Sequence, residues 1–287
     1  MSEVKVTWVI EAEVFPADGV AALEAEAIRA GHHVVGWKDE WKDPPSPIQP
    51  AGMNVASPFV FRGSLGNALW VRENLAWRPG AYCDAQAFCC TSYYPRAERW
   101  LLCGAKWRAL TAQQFVAEAL DQHLQHFFVR PDSPLKPFSG RLLTRDQVSW
   151  EAIDYGLYYD ARDLLVVVSE PRTITAEWRF VVVDRRVVAG SEYTALGRAA
   201  VRRVEAGPAW DFAQVVASAL EPPEDVYVLD VCEVDGRYYL LELNPFSGAD
   251  LYACDPAAVM RAVSEVARRG FTPLPPVQLP PFVPPRP

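Results

Sequence analysis

Two polar side chains interrupt an apolar stretch near the C-terminal end of the chain. Residues 240–252 read LLELNPFSGADLY, and Glu242 and Asn244 lie two positions apart. In a β-strand, residues two positions apart face the same side. Carboxylate and carboxamide oxygens are ligands that hard cations such as Mg²⁺ prefer. The spacing therefore predicts a strand face that could hold a divalent cation. Another carboxylate, Asp230, lies in the preceding apolar segment VYVLDVCEV.

The turn between these two segments decides whether Asp230 can join Glu242. The dipeptide Asp235-Gly236 predicts a hairpin. A two-residue turn would put Asp230 opposite Leu241, facing away from Glu242. A three-residue loop would instead put Asp230 on the same face as Glu242, on a diagonal of roughly 7–8 Å. A metal site at this hairpin therefore predicts the three-residue loop.

The alternative explanation for the acidic residues is a hairpin whose polar face meets water. That explanation is the usual one for alternating charge, but it fits poorly here. One buried face is already supplied by Leu229, Val231, Leu241 and Leu243. The acidic face therefore requires a separate explanation.

The composition limits the class of protein. The chain has 287 residues, of which 50% are hydrophobic and 12% aromatic, which suffices for two compact lobes and argues against disorder. Its net charge of −8 disfavours nonspecific binding to nucleic acid or membranes. The six cysteines form no CxxC pair, so free thiols are expected. With a charged N-terminal segment and no apolar run of transmembrane length, the sequence predicts a cytoplasmic protein.

The hydrophobic pattern predicts alternating strands and helices. A strand, a helix and a second strand open the chain as a β-α-β unit. Capping boxes at Thr111–Gln114 and Thr144–Gln147 predict one helix that ends near residue 125 and another over about 145–155. The other predicted helices are 19–30, 210–220 and 256–270, and the predicted strands are 4–15, 33–37, 126–130, 164–170, 177–184, 187–193, 226–234 and 237–244.

Residues 57–74 read as a strand, a glycine turn and a helix. The turn Gly63-Ser64-Leu65-Gly66 could cradle a phosphate or a carboxylate, with Ser64 and Gly66 as the candidate residues. Without a fuller motif, an ordinary strand-to-helix turn is the favoured interpretation.

The acidic hairpin resembles the metal-binding hairpin of the ATP-grasp superfamily, in which Asp, Glu and Asn in the pattern D…E-x-N hold two Mg²⁺ against the ATP phosphates. Other segments match in the same order, over about residues 106–270. FFVRPDSPLKPFSG is similar to the strand and lid loop of the smaller lobe, and VVVSEPRTITAEWRF to the adenine hinge and the strand after it. The RPDS…K…SG, EWR and ELNPF segments are most similar to those of small bacterial and phage ATP-grasp proteins.

The resemblance implies a fold and a domain division. The fold class is α/β (α+β), with the ATP-grasp arrangement of two α+β subdomains that grip ATP, preceded by a small α/β domain. The implied domains are 1–105 for the preceding domain, 106–271 for the ATP-grasp domain and 272–287 for a Pro-rich tail. Within the second domain, the smaller lid lobe covers about 106–168 and the larger metal-binding lobe about 169–271.

The resemblance also implies the roles of the charged residues. The metal ligands would be Asp230, Glu242 and Asn244, for two Mg²⁺ ions or for Mn²⁺. The cations that contact the ATP phosphates and act in catalysis would be Arg130, Lys136 and Arg179. Lys136 lies in the implied mobile loop Asp132–Gly140. For Arg179, the alternative is a structural ion pair with Glu177.

The nucleotide itself would be read by the hinge and the following strand. The backbone at Ser169 and Glu170 would contact adenine, and Glu177 would take the ribose hydroxyls. The sequence departs from the family at one position. Several amino-acid ligases place an arginine two residues before the metal aspartate, where this chain has Val228. Arg179, or Arg172 beside the hinge, would take over that role.

The implied activity is ATP-dependent ligation of a carboxylate to an amine through an acyl-phosphate, with release of ADP and phosphate. Two alternatives remain open: a kinase-like phosphotransferase, and a non-catalytic nucleotide-binding module. The implied partners are small-molecule or peptide carboxylates and amines and a second copy in a homodimer, with no nucleic acid or membrane. Tyr193, Arg198 and Tyr252 could touch substrate or lie at the surface. RAAVRR (198–203) could bind an acidic substrate or form a solvated helix face.

Overall fold

The structure of the chain is a computed structural model that describes residues 4–42, 57–119, 125–153, 162–195 and 197–271. Within these ranges the chain forms three β-sheets and seven α-helices. The predicted Pro-rich tail, the predicted end of the helix after Thr111 and most of the predicted loop 38–50 lie outside the described residues.

The N-terminal sheet is parallel, with the order β2-β1-β3-β4. Its strands are β1 (Thr7–Ile10), β2 (His33–Gly36), β3 (Phe59–Arg62) and β4 (Pro79–Gly80), and its helices are α1 (Ala17–Arg29) and α2 (Leu65–Asn74). Every residue of β1 and β3 is buried, as expected of parallel strands covered on both faces. The predicted β-α-β unit is confirmed.

The second sheet is antiparallel and has the order β5-β8-β6-β7. It follows α3 (Cys90–Ala97) and consists of β5 (Trp107–Thr111), β6 (His126–Pro131), β7 (Arg141–Thr144) and β8 (Leu165–Ser169), with α4 (Ala112–Ala119) and α5 (Trp150–Ile153). Phe115, Phe127 and Val166 lie at the centre of its core. This unit has the position of the smaller lobe that the resemblance implies.

The third sheet has the order β11-β10-β9-β12-β13 and carries the acidic hairpin. Its elements are β9 (Ala176–Val183), β10 (Arg186–Ala195), β11 (Arg198–Val204), α6 (Pro208–Ala219), β12 (Val226–Val234), β13 (Arg237–Pro245) and α7 (Pro256–Arg269). Residues of α6 pack on one face. The other face packs on α7 and on the N-terminal sheet, where Trp8 Nε1 donates to Ser264 Oγ at 3.1 Å.

Three local predictions differ from the structure. The first strand ends at Ile10, level with the ends of β2 and β3, and a 3-10 segment, Ala12–Val14, follows. The capping box at Thr144 forms, but it opens a 3-10 turn because Val148 is extended, and α5 begins separately. RAAVRR forms the edge strand β11 rather than a helix.

The six cysteines are free thiols, as predicted, and Cys83, Cys90, Cys232 and Cys254 are buried. Among the helices of the described ranges, none combines the length and the apolar character that crossing a bilayer requires.

Candidate active site

The acidic hairpin turns in two residues, so the predicted three-residue loop is wrong. Val234 pairs with Arg237, and Asp235 and Gly236 have φ values of 51° and 72°, as in a type I′ turn. The expected consequence, that Asp230 faces away from Glu242, does not follow. The pairing shifts by one residue between Val231 and Asp230, so that Asp230 lies directly opposite Glu242.

A β-bulge at Leu241 produces this shift. Val231 pairs with Leu240, and Asp230 pairs with Glu242, which leaves Leu241 as the extra residue of β13. Leu240 therefore takes the core position that the sequence pattern assigns to Leu241, and its side chain is fully buried. The bulge turns the acidic face of both strands to the same side.

Main-chain and tyrosine hydrogen bonds cover the outer edge of the bulge. Leu240 N donates to Trp100 O at 2.7 Å, and Leu102 N donates to Leu240 O at 3.1 Å. Beyond the bulge, Leu243 N donates to the hydroxyl of the buried Tyr93 at 3.2 Å. The segment after α3 thus fixes β13 on both sides of Glu242. The sequence analysis missed Tyr93, because no local pattern indicates a contact across 150 residues.

The three predicted metal ligands lie together. Asn244 Nδ2 donates to Asp230 Oδ2 at 3.1 Å and to Glu242 Oε1 at 2.9 Å. Asp230 is fully buried, and Asn244 is nearly so. The polar face of the hairpin is thus interior, and the alternative of a hairpin face that meets water does not describe it.

Arg179 holds Asp230 from the neighbouring strand. The two residues are paired across β9 and β12, and Arg179 donates two parallel hydrogen bonds, at 2.9 and 2.7 Å, to the carboxylate. Its third nitrogen donates to the main-chain oxygen of Asp250 at 2.9 Å. The alternative of an Arg179–Glu177 ion pair is not what forms. Arg179 pairs with the predicted metal ligand instead.

Two cations from the second sheet reach Glu242. Arg130 Nη2 donates to Glu242 Oε2 at 2.6 Å, and Lys136 Nζ donates to Oε1 at 3.0 Å. Lys136 has a left-handed backbone, with φ of 48°, a conformation that is strained for a residue with a side chain. The structure thus brings together the six residues that the resemblance names as metal ligands and phosphate-binding cations.

Electrostatics at the hairpin divide the two carboxylates. Burial alone would raise the pKa of Glu242, but the charges of Arg130 and Lys136 outweigh it and lower that pKa well below its ordinary value. Burial raises the pKa of Asp230, against the opposing effect of Arg179. Glu242 is therefore firmly anionic, and Asp230 depends on its guanidinium partner.

The donor chemistry fits a hard divalent cation. In the described ranges, no three His, Cys, Asp or Glu side chains cluster as a metal site would require. The set at the hairpin is two carboxylates and one amide, and rotation of the Asn244 amide would present its oxygen in place of its nitrogen. These three oxygen donors suit Mg²⁺, which keeps several ligands from water or phosphate.

A cavity of about 490 Å³ adjoins the acidic cluster. The bulge residues Leu240 and Leu241 form part of its wall, beside Glu242. Its other lining residues come from the segment after β8, from β6 and β7, and from the region after α3: Ser169, Glu170, Pro171, Arg172, Thr173, Ile174, Phe128, Leu142, Tyr94, Leu101, Leu102 and Cys103. The predicted hinge residues Ser169 and Glu170 therefore lie where a flat apolar group could enter.

Glu177 lies on the same strand as Arg179, but it has a different partner. The hydroxyl of Tyr193 donates to Glu177 Oε2 at 2.6 Å. The ring of Tyr193 stacks on that of Tyr252, with centroids 4.9 Å apart, and the guanidinium of Arg179 lies over both rings. Two of the three residues left open between substrate contact and surface are thus beside the acidic cluster. Arg198 begins β11, and its side chain lies outside the described part.

Three further candidates have structural partners. Ser64 Oγ accepts from Asn67 N at 3.3 Å as the cap of α2, which fits the favoured interpretation of an ordinary turn. Asp132 accepts from Thr91 N and Oγ1, both at 2.8 Å, and so anchors the start of the loop Asp132–Gly140 on α3. Arg172 lies 3.9 Å from Asp235 at the turn, so Arg179 is the arginine beside Asp230.

The model of a family described as an ATP-grasp domain, the second family of its clade, matches residues 107–262. The chain belongs to this ATP-grasp family, and the matched region contains all six residues of the acidic cluster. A comparison with curated proteins finds no match.

Solved structures share the fold at low sequence identity. D-alanyl-alanine synthetase A from Vibrio cholerae O1 biovar eltor has a TM-score of 0.60 and 14% identity, with coverage of 94% of this chain and 99% of that one. D-cycloserine synthetase DcsG gives 0.57 and 14%, with 91% and 99% covered. The ATP-grasp ligase PsnB, in complex with a minimal precursor, Mg and ADP, gives 0.53 and 14%, with 92% and 98% covered. At this identity the likeness shows the fold.

Proposed function

We propose that this protein is an ATP-dependent ligase that joins a carboxylate to an amine through an acyl-phosphate. One observation carries the proposal: two carboxylates and an amide are encircled by three cations from two sheets, beside a cavity of about 490 Å³. Similarity to structures of ligases, one of them in complex with Mg and ADP, supports the same conclusion. The proposed cofactors are ATP and Mg²⁺.

The chemistry would proceed in two balanced steps. An oxygen of the substrate carboxylate attacks the γ-phosphorus of ATP, the bond to the β–γ bridging oxygen breaks, and ADP leaves. The amine nitrogen then attacks the acyl carbon, loses a proton and displaces phosphate. Mg²⁺ held by Asp230, Glu242 and Asn244 would supply charge neutralisation at the phosphates.

The chain's own residues would position the reactants. Arg130 and Lys136 would exchange Glu242 for phosphate oxygens, since a guanidinium and an ammonium bind both kinds of anion. Arg179 would oppose the charge that develops on the transferred phosphoryl group. The loop Asp132–Gly140, anchored at its first residue, would close over the site and exclude the water that hydrolyses an acyl-phosphate.

The nucleoside would occupy the cavity between the two sheets. The main chain at Ser169 and Glu170 would meet the adenine edge, and the apolar walls would cover its faces. Glu177 would accept hydrogen bonds from the ribose hydroxyls. In this arrangement residues 106–168 act as the lid lobe and 169–271 as the metal-binding lobe.

The experiment measures ADP release in the presence of Mg²⁺, pools of amino acids and small carboxylates, and hydroxylamine. Hydroxylamine intercepts an acyl-phosphate as a hydroxamate, which mass spectrometry identifies. A hydroxamate would establish ligase chemistry and name the carboxylate. ADP without a hydroxamate would instead indicate a phosphotransferase. Failure of Mg-ATP to bind at all would reject the proposal, and Glu242→Gln supplies the inactive control.

A further inference from the structure

A second, smaller cavity of about 70 Å³ lies between the N-terminal sheet and the loop after β13. Apolar side chains from both units form most of its wall, among them Ile10, Phe15, Leu23, Leu251 and Tyr252. Its polar lining residues are Arg62 and Asp250. None of the roles assigned above uses this cavity.

The cavity shares its wall with the acidic cluster. The main-chain oxygen of Asp250 accepts the hydrogen bond from Arg179, and the ring of Tyr252 lies 5.1 Å from the Arg179 guanidinium. Tyr252 has a left-handed backbone, with φ of 48°, and its N–H donates to Asp250 Oδ1 at 2.9 Å. A strained tyrosine therefore separates the small cavity from the residues proposed to handle the phosphoryl group.

Arg62 is committed to the wall. Its two terminal nitrogens donate to Phe246 O and Ala249 O, each at 2.7 Å, and its guanidinium lies 4.7 Å from the rings of both Phe15 and Phe246. Burial lowers the pKa of Arg62 to about 9. Asp250 is half-buried, and so the cavity offers a ligand one carboxylate and an apolar surface.

We infer that the cavity is a side-chain pocket for an α-amino acid substrate with a small aliphatic side chain. The ammonium group would lie at the carboxylate of Asp250, the side chain would enter the pocket, and the carboxylate would point toward Arg179. An apolar cavity of about 150 Å³ holds benzene, so about half that volume suits roughly two to four carbons. This inference rests on the proposed ligase function, because it names the substrate of that site.

Gly19 offers the sharpest test. It lines the pocket from α1, and a Cβ at this position would meet no atom within 4 Å. Gly19→Leu should therefore fill the pocket without a clash, and leucine favours a helix over glycine. Ala21→Leu on the same helix is the matched control, since Ala21 is exposed and does not line the pocket.

The experiment is calorimetric titration with glycine, alanine, 2-aminobutyrate, valine and leucine, with and without Mg²⁺ and a non-hydrolysable ATP analogue. For the wild type and Ala21→Leu, affinity should rise by about fourfold per methylene from glycine toward valine and fall at leucine. Gly19→Leu should lose this rise while it binds the ATP analogue normally.

Three results would overturn the inference: no member of the series binds, affinity is independent of side-chain size, or the two leucine variants behave alike. Failure of the proposed ligase function shows separately, as absence of binding of the ATP analogue to the wild type. The amino-acid titration without nucleotide still decides the pocket in that case.

Discussion

Asp230 and Glu242 lie directly opposite each other on adjacent strands, although the two-residue turn between those strands would on its own put Leu241 opposite Asp230. The bulge at Leu241 restores the alignment. A turn of type I′ and a bulge are both compatible with the strong right-handed twist of a hairpin. The acidic site therefore depends on one extra residue in β13.

Replacing Glu242 by glutamine should abolish most turnover and leave the fold intact. The substitution keeps the side-chain shape, but it removes the charge that Arg130 and Lys136 share. Loss of one preorganised electrostatic group typically costs about two to three orders of magnitude in rate. ADP release, measured with circular dichroism as the check on folding, tests this expectation.

Glu233→Gln is the matched control for that variant. Glu233 belongs to the same hairpin, but it lies next to the turn, opposite Tyr238. Its substitution should leave ADP release within about twofold of the wild type, as for most surface changes. Near-normal turnover in Glu242→Gln, or equal losses in both variants, would reject the assignment of Glu242 as a metal ligand.

Tyr93→Phe should loosen the site without touching it. The phenylalanine leaves the buried Leu243 N–H, between Glu242 and Asn244, without its hydroxyl acceptor, which should cost about 1–2 kcal/mol in the free energy of unfolding. The Mg²⁺ concentration for half-maximal ADP release should rise, because the two metal ligands flank the freed amide.

Tyr227→Phe separates the hydroxyl from the ring. Tyr227 is also fully buried, but its hydroxyl has no hydrogen-bond partner among the described residues. Removal of that hydroxyl should be neutral or stabilising, with an unchanged Mg²⁺ requirement. If both phenylalanine variants shift stability and Mg²⁺ dependence equally, Tyr93 has no special role in positioning β13.

Glu177→Ala should mainly weaken nucleotide binding, by about 1–3 kcal/mol, the cost of losing a buried hydrogen-bonded charge. Because Tyr193 also donates to Glu177, Tyr193→Phe is the necessary companion. It removes the tyrosine hydroxyl and leaves the carboxylate. Titration with an ATP analogue should give a large loss for Glu177→Ala and a small one for Tyr193→Phe. Unchanged affinity in Glu177→Ala would mean that Glu177 does not bind the ribose.

Local patterns in the sequence predict most of the elements that carry the site. The alternation in 226–234 and 237–244 predicts both strands of the hairpin, and the apolar strands 177–184 and 187–193 are likewise formed. These segments are readable because period-2 alternation and an Asp-Gly turn act over a few residues. The β-α-β opening is readable for the same reason.

The register of the hairpin is not readable in this way. Leu240 and Leu241 are adjacent and equally apolar, so either can face the core, and only packing against Trp100 and Leu102 selects Leu240. The hydrogen bond from Leu243 to Tyr93 is equally remote in sequence. For RAAVRR, arginine and alanine suit a helix as well as an edge strand, and pairing with β10 decides the outcome.

A buried carboxylate far from the hairpin should make stability depend on pH. Burial raises the pKa of Glu224 to about 7, although Arg72 lies 2.5 Å away and opposes the shift. A glutamate whose pKa is raised by folding binds more protons in the folded state, so its favourable contribution is complete below its ordinary pKa and is lost as pH rises through about 7. At about 1.36 kcal/mol per pKa unit, the loss is at most about 3 kcal/mol.

Urea unfolding of the wild type and Glu224→Gln between pH 4.5 and 8 isolates this effect. The glutamine cannot ionise, so the free energy of unfolding of the wild type should fall relative to that of the variant as pH rises. Glu221→Gln, at an exposed glutamate three residues earlier, controls for the loss of one carboxylate. A wild-type-to-variant difference that stays constant over this range, or that grows in favour of the wild type, would mean that burial does not dominate at Glu224 and that its pairing with Arg72 does.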